Sequence, residues 1–181
     1  SVSNLKNWQI AAMTTSQVAA LSTDQISSMK TAQLASMGSA LIASITTDDL
    51  QALSTAQITS LGTDQITALT TAQVVALTTD QVGSLKVTQL AAMTTAQIAA
   101  MENEDIQALS SKQISNLTTL QISALTNDQV SAIETDDLAA LTTAQIKVFT
   151  TAQLYSLTDD QVAALTTAQL SVLDTAQLAA L

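Results

Sequence analysis

The sequence contains no cysteine, histidine, proline or arginine, and it has only three glycines and one each of Trp, Tyr and Phe in 181 residues. The missing thiols and imidazoles exclude disulfide scaffolds, Cys- or His-based catalysis, and zinc or haem sites built from those ligands. Five lysines against fifteen acidic residues give a net charge of −10, which argues against nucleic acid as a partner. We therefore predict that the protein is not an enzyme and has no catalytic, cofactor-binding or metal-binding residues.

Long hydrophobic runs are also absent. A Thr, Ser or Gln interrupts every few positions, so no segment approaches the roughly 18 apolar residues of a membrane span, and we expect no membrane insertion. The first seven residues lack the charged-then-apolar layout of a signal peptide, which indicates a mature form or an excised fragment. With so few aromatic residues, the core must consist of Leu, Ile, Val, Met and Ala.

What the sequence does contain is a repeat of eight residues. Starting at Leu5, twenty-two octads follow without insertion or deletion to Ala180, and Leu181 opens another. Residues 1–4 are therefore a lead-in, and residues 5–181 form one continuous array. Position one is always Leu, Met, Ile or Phe, and position six is always Ile, Val or Leu. Position five is Gln in eighteen octads, and the exceptions are Leu41, Asp49, Asp105 and Asp137.

The eight-residue period excludes two simple folds. In one long helix the apolar stripe would drift about 80° per octad, and no partner could follow it. In a β-solenoid the apolar positions one, six and eight would not share one face, and three glycines could not serve all the corners. The period instead predicts a new short helix in every octad.

The polar residues of the octad support this interpretation. Thr-x-x-Gln at positions two to five has the form of a capping box, in which the hydroxyl accepts a backbone N–H and the Gln side chain binds the N–H of the cap residue. A helix over positions three to nine would place the Gln in the buried arc, where its amide needs hydrogen bonds to the turn before it or to a neighbouring octad. Position one would close one helix and staple the next, with essentially no loop.

No single octad buries enough apolar surface to fold alone, so stability must come from stacking. We predict an all-α fold, an α-solenoid or superhelix of about 22 very short helices, one per octad. The pattern does not fix the number of octads per turn. Neither end carries a polar capping repeat, which indicates a fragment of a longer array whose exposed ends can stack end to end.

Two groups of residues are candidate binding features. The acidic groups Asp48–Asp49, Glu102–Asp105 and Glu134–Asp137 could hold Ca²⁺, although the octad has no loop of the kind that supplies six to eight oxygen ligands. Acidic residues that solvate and stabilise helix starts are the simpler interpretation. The aromatic residues are candidate contact residues for a ligand, although single aromatics usually serve packing; they are Trp8, Phe149 and Tyr155.

The octad, Leu/Met–Thr/Ser–Thr–x–Gln–Ile/Val–x–Ala/Ser, resembles the octapeptide arrays of very large secreted or surface-attached bacterial proteins, many of them adhesin-like. The resemblance covers all twenty-two octads and implies an extracellular or cell-surface location. The first functional hypothesis is a structural spacer, stalk or scaffold. The second is a binding module that presents a superhelical groove to a peptide, glycan or other extended ligand, marked by Lys147, Phe149 and Tyr155. A lesser alternative is an ice-binding array of exposed Thr rows.

Overall fold

The computed structural model describes all 181 residues, Ser1–Leu181, and every regular element in it is helical. A short 3-10 helix, η1, precedes twenty-two α-helices, one in each octad. This confirms the predicted all-α fold with one helix per repeat. The chain divides into two compact units, Ser1–Met93 and Thr94–Leu181. None of the helices has the length and apolar character needed to cross a membrane.

The helices of the first unit are η1 Val2–Asn4, α1 Asn7–Ala11, α2 Thr15–Ala19, α3 Thr23–Ser27, α4 Thr31–Ala35, α5 Ser39–Ala43, α6 Thr47–Gln51, α7 Thr55–Thr59, α8 Thr63–Thr67, α9 Thr71–Ala76, α10 Thr79–Ser84 and α11 Val87–Ala92. Those of the second unit are α12 Thr95–Ala100, α13 Asn103–Ala108, α14 Ser111–Ile114, α15 Thr119–Ala124, α16 Asn127–Ala132, α17 Thr135–Ala140, α18 Thr143–Lys147, α19 Thr151–Tyr155, α20 Asp159–Ala164, α21 Thr167–Leu170 and α22 Thr175–Ala179.

Each helix begins where the capping box predicts. All fifteen Thr, Ser or Asp side chains at position two accept a hydrogen bond from the backbone N–H of position five. All eighteen Gln side chains at position five accept the N–H of position two through Oε1, at 2.7–3.0 Å. The start signal is therefore local to each octad.

The helices end earlier than predicted. They run from position three to position six, seven or eight, and not to position nine. At Leu77, which is position one of its octad, the backbone is extended with φ −60° and ψ 141°, and its N–H closes α9 on the carbonyl of Val74 at 3.1 Å. The next residue, Thr78, is also extended because a cap residue needs that backbone geometry. Where a helix ends at position eight, two extended residues thus link it to the next helix, and the link is longer where the helix ends at position six or seven. This corrects the prediction of essentially no loop.

Within each unit, every helix packs on the helix three places along the chain. In the first unit α1 contacts α4, α2 contacts α5, and this continues to α8 and α11. In the second unit the series runs from α12 and α15 to α19 and α22. Three octads, or 24 residues, therefore make one turn of the coil within each unit. The sequence pattern does not reveal this number.

The core lies inside this coil and is made from positions one and six, as predicted. Position six is 0–1% exposed in every octad from Ile10 to Leu154, and position one is 2–9% exposed in every octad from Met29 to Leu173. Val2 of the lead-in also takes part, because it is buried and corresponds to position six of a preceding octad. The lead-in therefore uses the packing positions of the repeat.

Candidate functional site

The most distinctive polar feature is a buried glutamine that joins one turn of the coil to the turn before it. In octad nine, Gln73 is 2% exposed. Its Oε1 accepts the N–H of Thr70 at 2.8 Å, and its Nε2 donates to the carbonyls of Ile45 at 2.8 Å and Ile42 at 2.9 Å. These acceptors lie 28 and 31 residues earlier. We call this three-bond arrangement the glutamine clamp.

The clamp recurs in both units with nearly constant geometry. Nε2 donates to the carbonyl 28 residues earlier at 2.7–2.9 Å in twelve octads, six in each unit, and in all twelve a second bond of 2.8–3.1 Å goes to the carbonyl 30 or 31 residues earlier. The glutamines are Gln33, Gln57, Gln65, Gln73, Gln81, Gln89, Gln129, Gln145, Gln153, Gln161, Gln169 and Gln177. No buried side-chain polar atom of the chain lacks a partner.

The expected hydrogen bonding of the buried Gln is confirmed, and its partners are now defined. They are not in the neighbouring octads of the sequence but in the octads three and four places earlier. Burial of the Gln and its frequency at position five were the sequence signals for a bonded amide. The acceptors could not be found from those signals, since they depend on the number of octads per turn.

Three octads use an aspartate instead of the clamp. Asp49 accepts the hydroxyls of Thr46 at 2.7 Å and Thr23 at 2.8 Å, and Asp137 accepts the hydroxyl of Ser111. Thr23 and Ser111 both occupy position three, one coil turn earlier. At these two sites the turn-to-turn bond is therefore reversed, because a hydroxyl of the earlier turn donates to the later side chain. In octad five, Leu41 fills the same place without any hydrogen-bonding group.

The third aspartate, Asp105, has a perturbed pKa. Its side chain is 2% exposed, and burial raises its pKa from 3.8 to about 6, while the hydrogen bond from the Glu102 N–H opposes the shift and the charges of Glu102 and Glu104 add to it. Desolvation of a carboxylate favours its neutral form. A buried carboxyl whose pKa is raised to about 6 changes its charge within the range of neutral and mildly acidic pH.

The acidic groups weighed as Ca²⁺ ligands do not converge on a metal site. No group of three or more Asp or Glu side chains is arranged to hold an ion. In the groups Asp48–Asp49, Glu102–Asp105 and Glu134–Asp137, the position-five aspartate is buried, whereas the other acidic side chains at positions two and four are exposed.

The aromatic residues do not form one surface cluster either. Tyr155 is 82% exposed and Trp8 is 67% exposed, whereas Phe149 is 2% exposed. Phe149 occupies position one and belongs to the core. The prediction that Lys147, Phe149 and Tyr155 mark a ligand-binding surface is therefore wrong for Phe149. Tyr155 remains available to a ligand.

A groove in the first unit comes from two glycines. Gly38 and Gly62 both replace the usual cap residue at position two, and their octads are three apart, so they lie on consecutive coil turns. The resulting cavity of about 460 Å³ is lined by both glycines together with Ser39, Ser60 and Asp64, among others. Its walls offer hydroxyls, a carboxylate and backbone groups.

Most threonines occupy position two or position three of the octad. The hydroxyls at position two are engaged in caps, but the side chain at position three is exposed in nineteen of the twenty-two octads. Because helices three apart pack together, these exposed side chains follow one another along each unit. A surface formed by rows of threonine side chains would therefore consist of the residues at position three.

The fold and the clamp together define a repeat protein, an α-solenoid of eight-residue units. A family model described as the ALTTAQ repeat matches residues 2–31, 42–79, 98–132 and 130–167. These segments cover more than half of the chain, which therefore belongs to the ALTTAQ repeat family. No curated protein matches the chain.

Proposed function

We propose that this array is a structural module, a spacer, stalk or scaffold whose length is set by the number of octads. The observation that supports this most directly is the glutamine clamp. Each clamp binds octads three and four places earlier and no others, so a new octad extends the same interface. Arrays with nearest-neighbour contacts of this kind can change length without redesign of their core.

The proposal is tested by changing the number of octads in the full chain. A copy of residues 117–140, which is three octads, is inserted after residue 140, and a second variant receives only residues 117–124. We expect each variant to keep the helical circular dichroism spectrum and to increase its maximum dimension in small-angle scattering in proportion to the octads added. A four-residue insertion at the same place is the control, because it breaks the register of the clamp. Unchanged dimensions after the 24-residue insertion would refute the spacer.

We further propose that the array belongs to a large, exported bacterial protein that is displayed at the cell surface. The lack of cysteine, the acidic balance and the resemblance to adhesin-like octapeptide arrays support this location. Antibodies against residues 1–181 should label intact cells of the source organism. Labelling only after permeabilisation would place the protein inside the cell.

The groove at Gly38 and Gly62 favours a second candidate function, which is binding of an extended polar ligand such as a glycan. Its lining by hydroxyl, carboxylate and backbone groups suits a ligand rich in hydroxyls. A panel of hexasaccharides is added to the chain and to the Gly38→Thr/Gly62→Thr variant, which narrows the groove. A rise in melting temperature for the natural chain alone supports binding, and no rise with any member of the panel removes this candidate. Thermal hysteresis of the same samples tests ice binding through the position-three threonines.

A further inference from the structure

The three buried aspartates at position five have unequal surroundings. Asp49 accepts two hydroxyl donors, from Thr46 and Thr23, and Asp137 accepts one, from Ser111. The hydrogen bond of Asp105 is a single, longer one, from the backbone N–H of Glu102 to Oδ2 at 3.2 Å. Asp105 is nevertheless the least exposed of the three, at 2% against 3% and 7%. It combines nearly complete burial with the weakest hydrogen bonding of its charged form.

The charges around Asp105 make ionisation still less favourable. Glu102 and Glu104 belong to the same octad, and both charges disfavour the carboxylate. The helix α16 packs against α13, and its one ionisable residue is Asp128. The helix three places earlier in the sequence, α10, has Asp80 as its one ionisable residue, and this side chain is exposed. Of the helices next in sequence, α12 has no ionisable residue and α14 has Lys112, which is exposed at position four. No cation lies at position two or position four of octad 13, where Glu102 and Glu104 stand.

We propose that octad 13, Met101–Ala108, is a proton-operated weak point of the second unit, which opens more readily when Asp105 is ionised and closes when this carboxyl takes up a proton. Two observations support this proposal, namely the contrast in donors among three equivalent positions and the two carboxylates that flank Asp105. It does not depend on the spacer role. An array held mainly by uncharged glutamine clamps would thereby gain one place where its local stability follows pH.

The direction of the effect follows from proton linkage. Asp105 has a pKa of about 6 in the folded state and an ordinary value of 3.8 when exposed. A carboxyl whose pKa is raised by folding stabilises the folded state fully below pH 3.8, and this stabilisation is lost as the pH rises through about 6. With these two pKa values, lowering the pH from 7.5 to 5.0 reduces the equilibrium constant for opening of the octad about tenfold.

The test is amide hydrogen exchange of the full chain at pH 5.0, 6.0 and 7.5, with each rate divided by the intrinsic rate at that pH. We expect the protection of the octad 13 amides to rise about tenfold from pH 7.5 to pH 5.0. Asp105→Asn keeps the size of the side chain and should abolish this rise. Asp105→Gln restores the usual residue of position five and should do the same, so the result does not depend on one variant folding well.

The matched control is Asp137→Asn. It is the same substitution at the same octad position, but there the hydroxyl of Ser111 donates a hydrogen bond to the carboxylate. This variant should keep the pH dependence of octad 13. The proposal is overturned if the rise in protection is absent from the natural chain, or if it persists in both Asp105 variants. Failure of the octad-insertion experiment would leave this outcome unaffected, because exchange is read locally in octad 13.

Discussion

Gln17 and Gln73 occupy the same octad position behind the same cap residue, but they differ in everything beyond their own octad. Each accepts a cap N–H at 2.8 Å, from Thr14 in one case and Thr70 in the other. Gln73 is buried and donates to two carbonyls of the earlier coil turns. Gln17 lies in the first turn of the unit, is exposed, and makes no such bond.

The comparison separates two roles of one side chain. The Oε1 atom of the Gln starts a helix, which requires only the octad itself. The Nε2 atom holds the coil together, which requires the turn before it. The C-terminal end of the second unit shows the same dependence on neighbouring turns. There Gln161 is buried, but Val162 and Leu178, at position six, are less buried than the position-six residues of earlier octads. Position five therefore faces the preceding turn, and position six is covered by the following one.

The largest effect on stability is expected from a change of Gln to Glu, which keeps an acceptor oxygen and removes the amide donor. Gln73→Glu would place a carboxylate against the carbonyls of Ile42 and Ile45, and we expect it to lower the free energy of unfolding by about 3–5 kcal/mol at pH 7.5. Gln17→Glu should instead be neutral or stabilising by about 0.3–1 kcal/mol, because an exposed acid in a first helical turn is favourable. Urea unfolding followed by circular dichroism measures both variants.

Acidification supplies the control for this pair. A buried Glu at position 73 is expected to have a raised pKa, so part of the lost stability should return at pH 4.5, when the protonated acid can donate a hydrogen bond again. The Gln17→Glu variant should show no such recovery. Equal destabilisation by the two substitutions would mean that the bonds between turns contribute nothing beyond the capping box.

The difference between bonds within one octad and bonds between coil turns explains how much could be predicted from the sequence. The cap at position two, the helix in each octad, the apolar positions one and six, and the burial of Gln all depend on residues within about one octad of each other. The carbonyls that Gln73 binds lie 28 and 31 residues away, and their identity depends on the angle between successive helices, summed over three octads. Helix length was predicted wrongly, because position one, expected to be the last helical residue, is extended in the structure, as at Leu77.

A gain of stability is expected where a later turn lacks the clamp. Leu41 is buried at position five, and its octad thus resembles the first turn in having no bond of this kind to the turn before it. Leu41→Gln should accept the N–H of Gly38 and donate to the carbonyls of Ile10 and Met13, which lie 31 and 28 residues earlier. Three hydrogen bonds of about 1 kcal/mol each, less the lost apolar burial, give a net gain of about 1 kcal/mol.

Urea unfolding also measures this variant, and Leu41→Met is its control because Met retains apolar burial without any hydrogen bond. The Gln variant should be more stable than the natural chain, and the Met variant should not. A Leu41→Gln variant less stable than Leu41→Met would show that the clamp cannot be added to an octad that evolved without it.

The smallest effect is expected from the cap alone, at Gly62, which already donates its N–H to the Gln side chain but offers no hydroxyl as an acceptor. Its N–H donates to Gln65 at 2.8 Å, its φ of −73° suits any residue, and an added Cβ would lie 3.8 Å from the Gln65 Oε1. Gly62→Thr should therefore stabilise the chain by about 0.5 kcal/mol through the new cap and the less flexible unfolded chain. Gly62→Ala, which gains only the second of these contributions, is the matched control. If the two variants are equally stable, the hydroxyl at position two adds nothing once the Gln has bound the cap N–H, and the local role of the octad belongs to its glutamine alone.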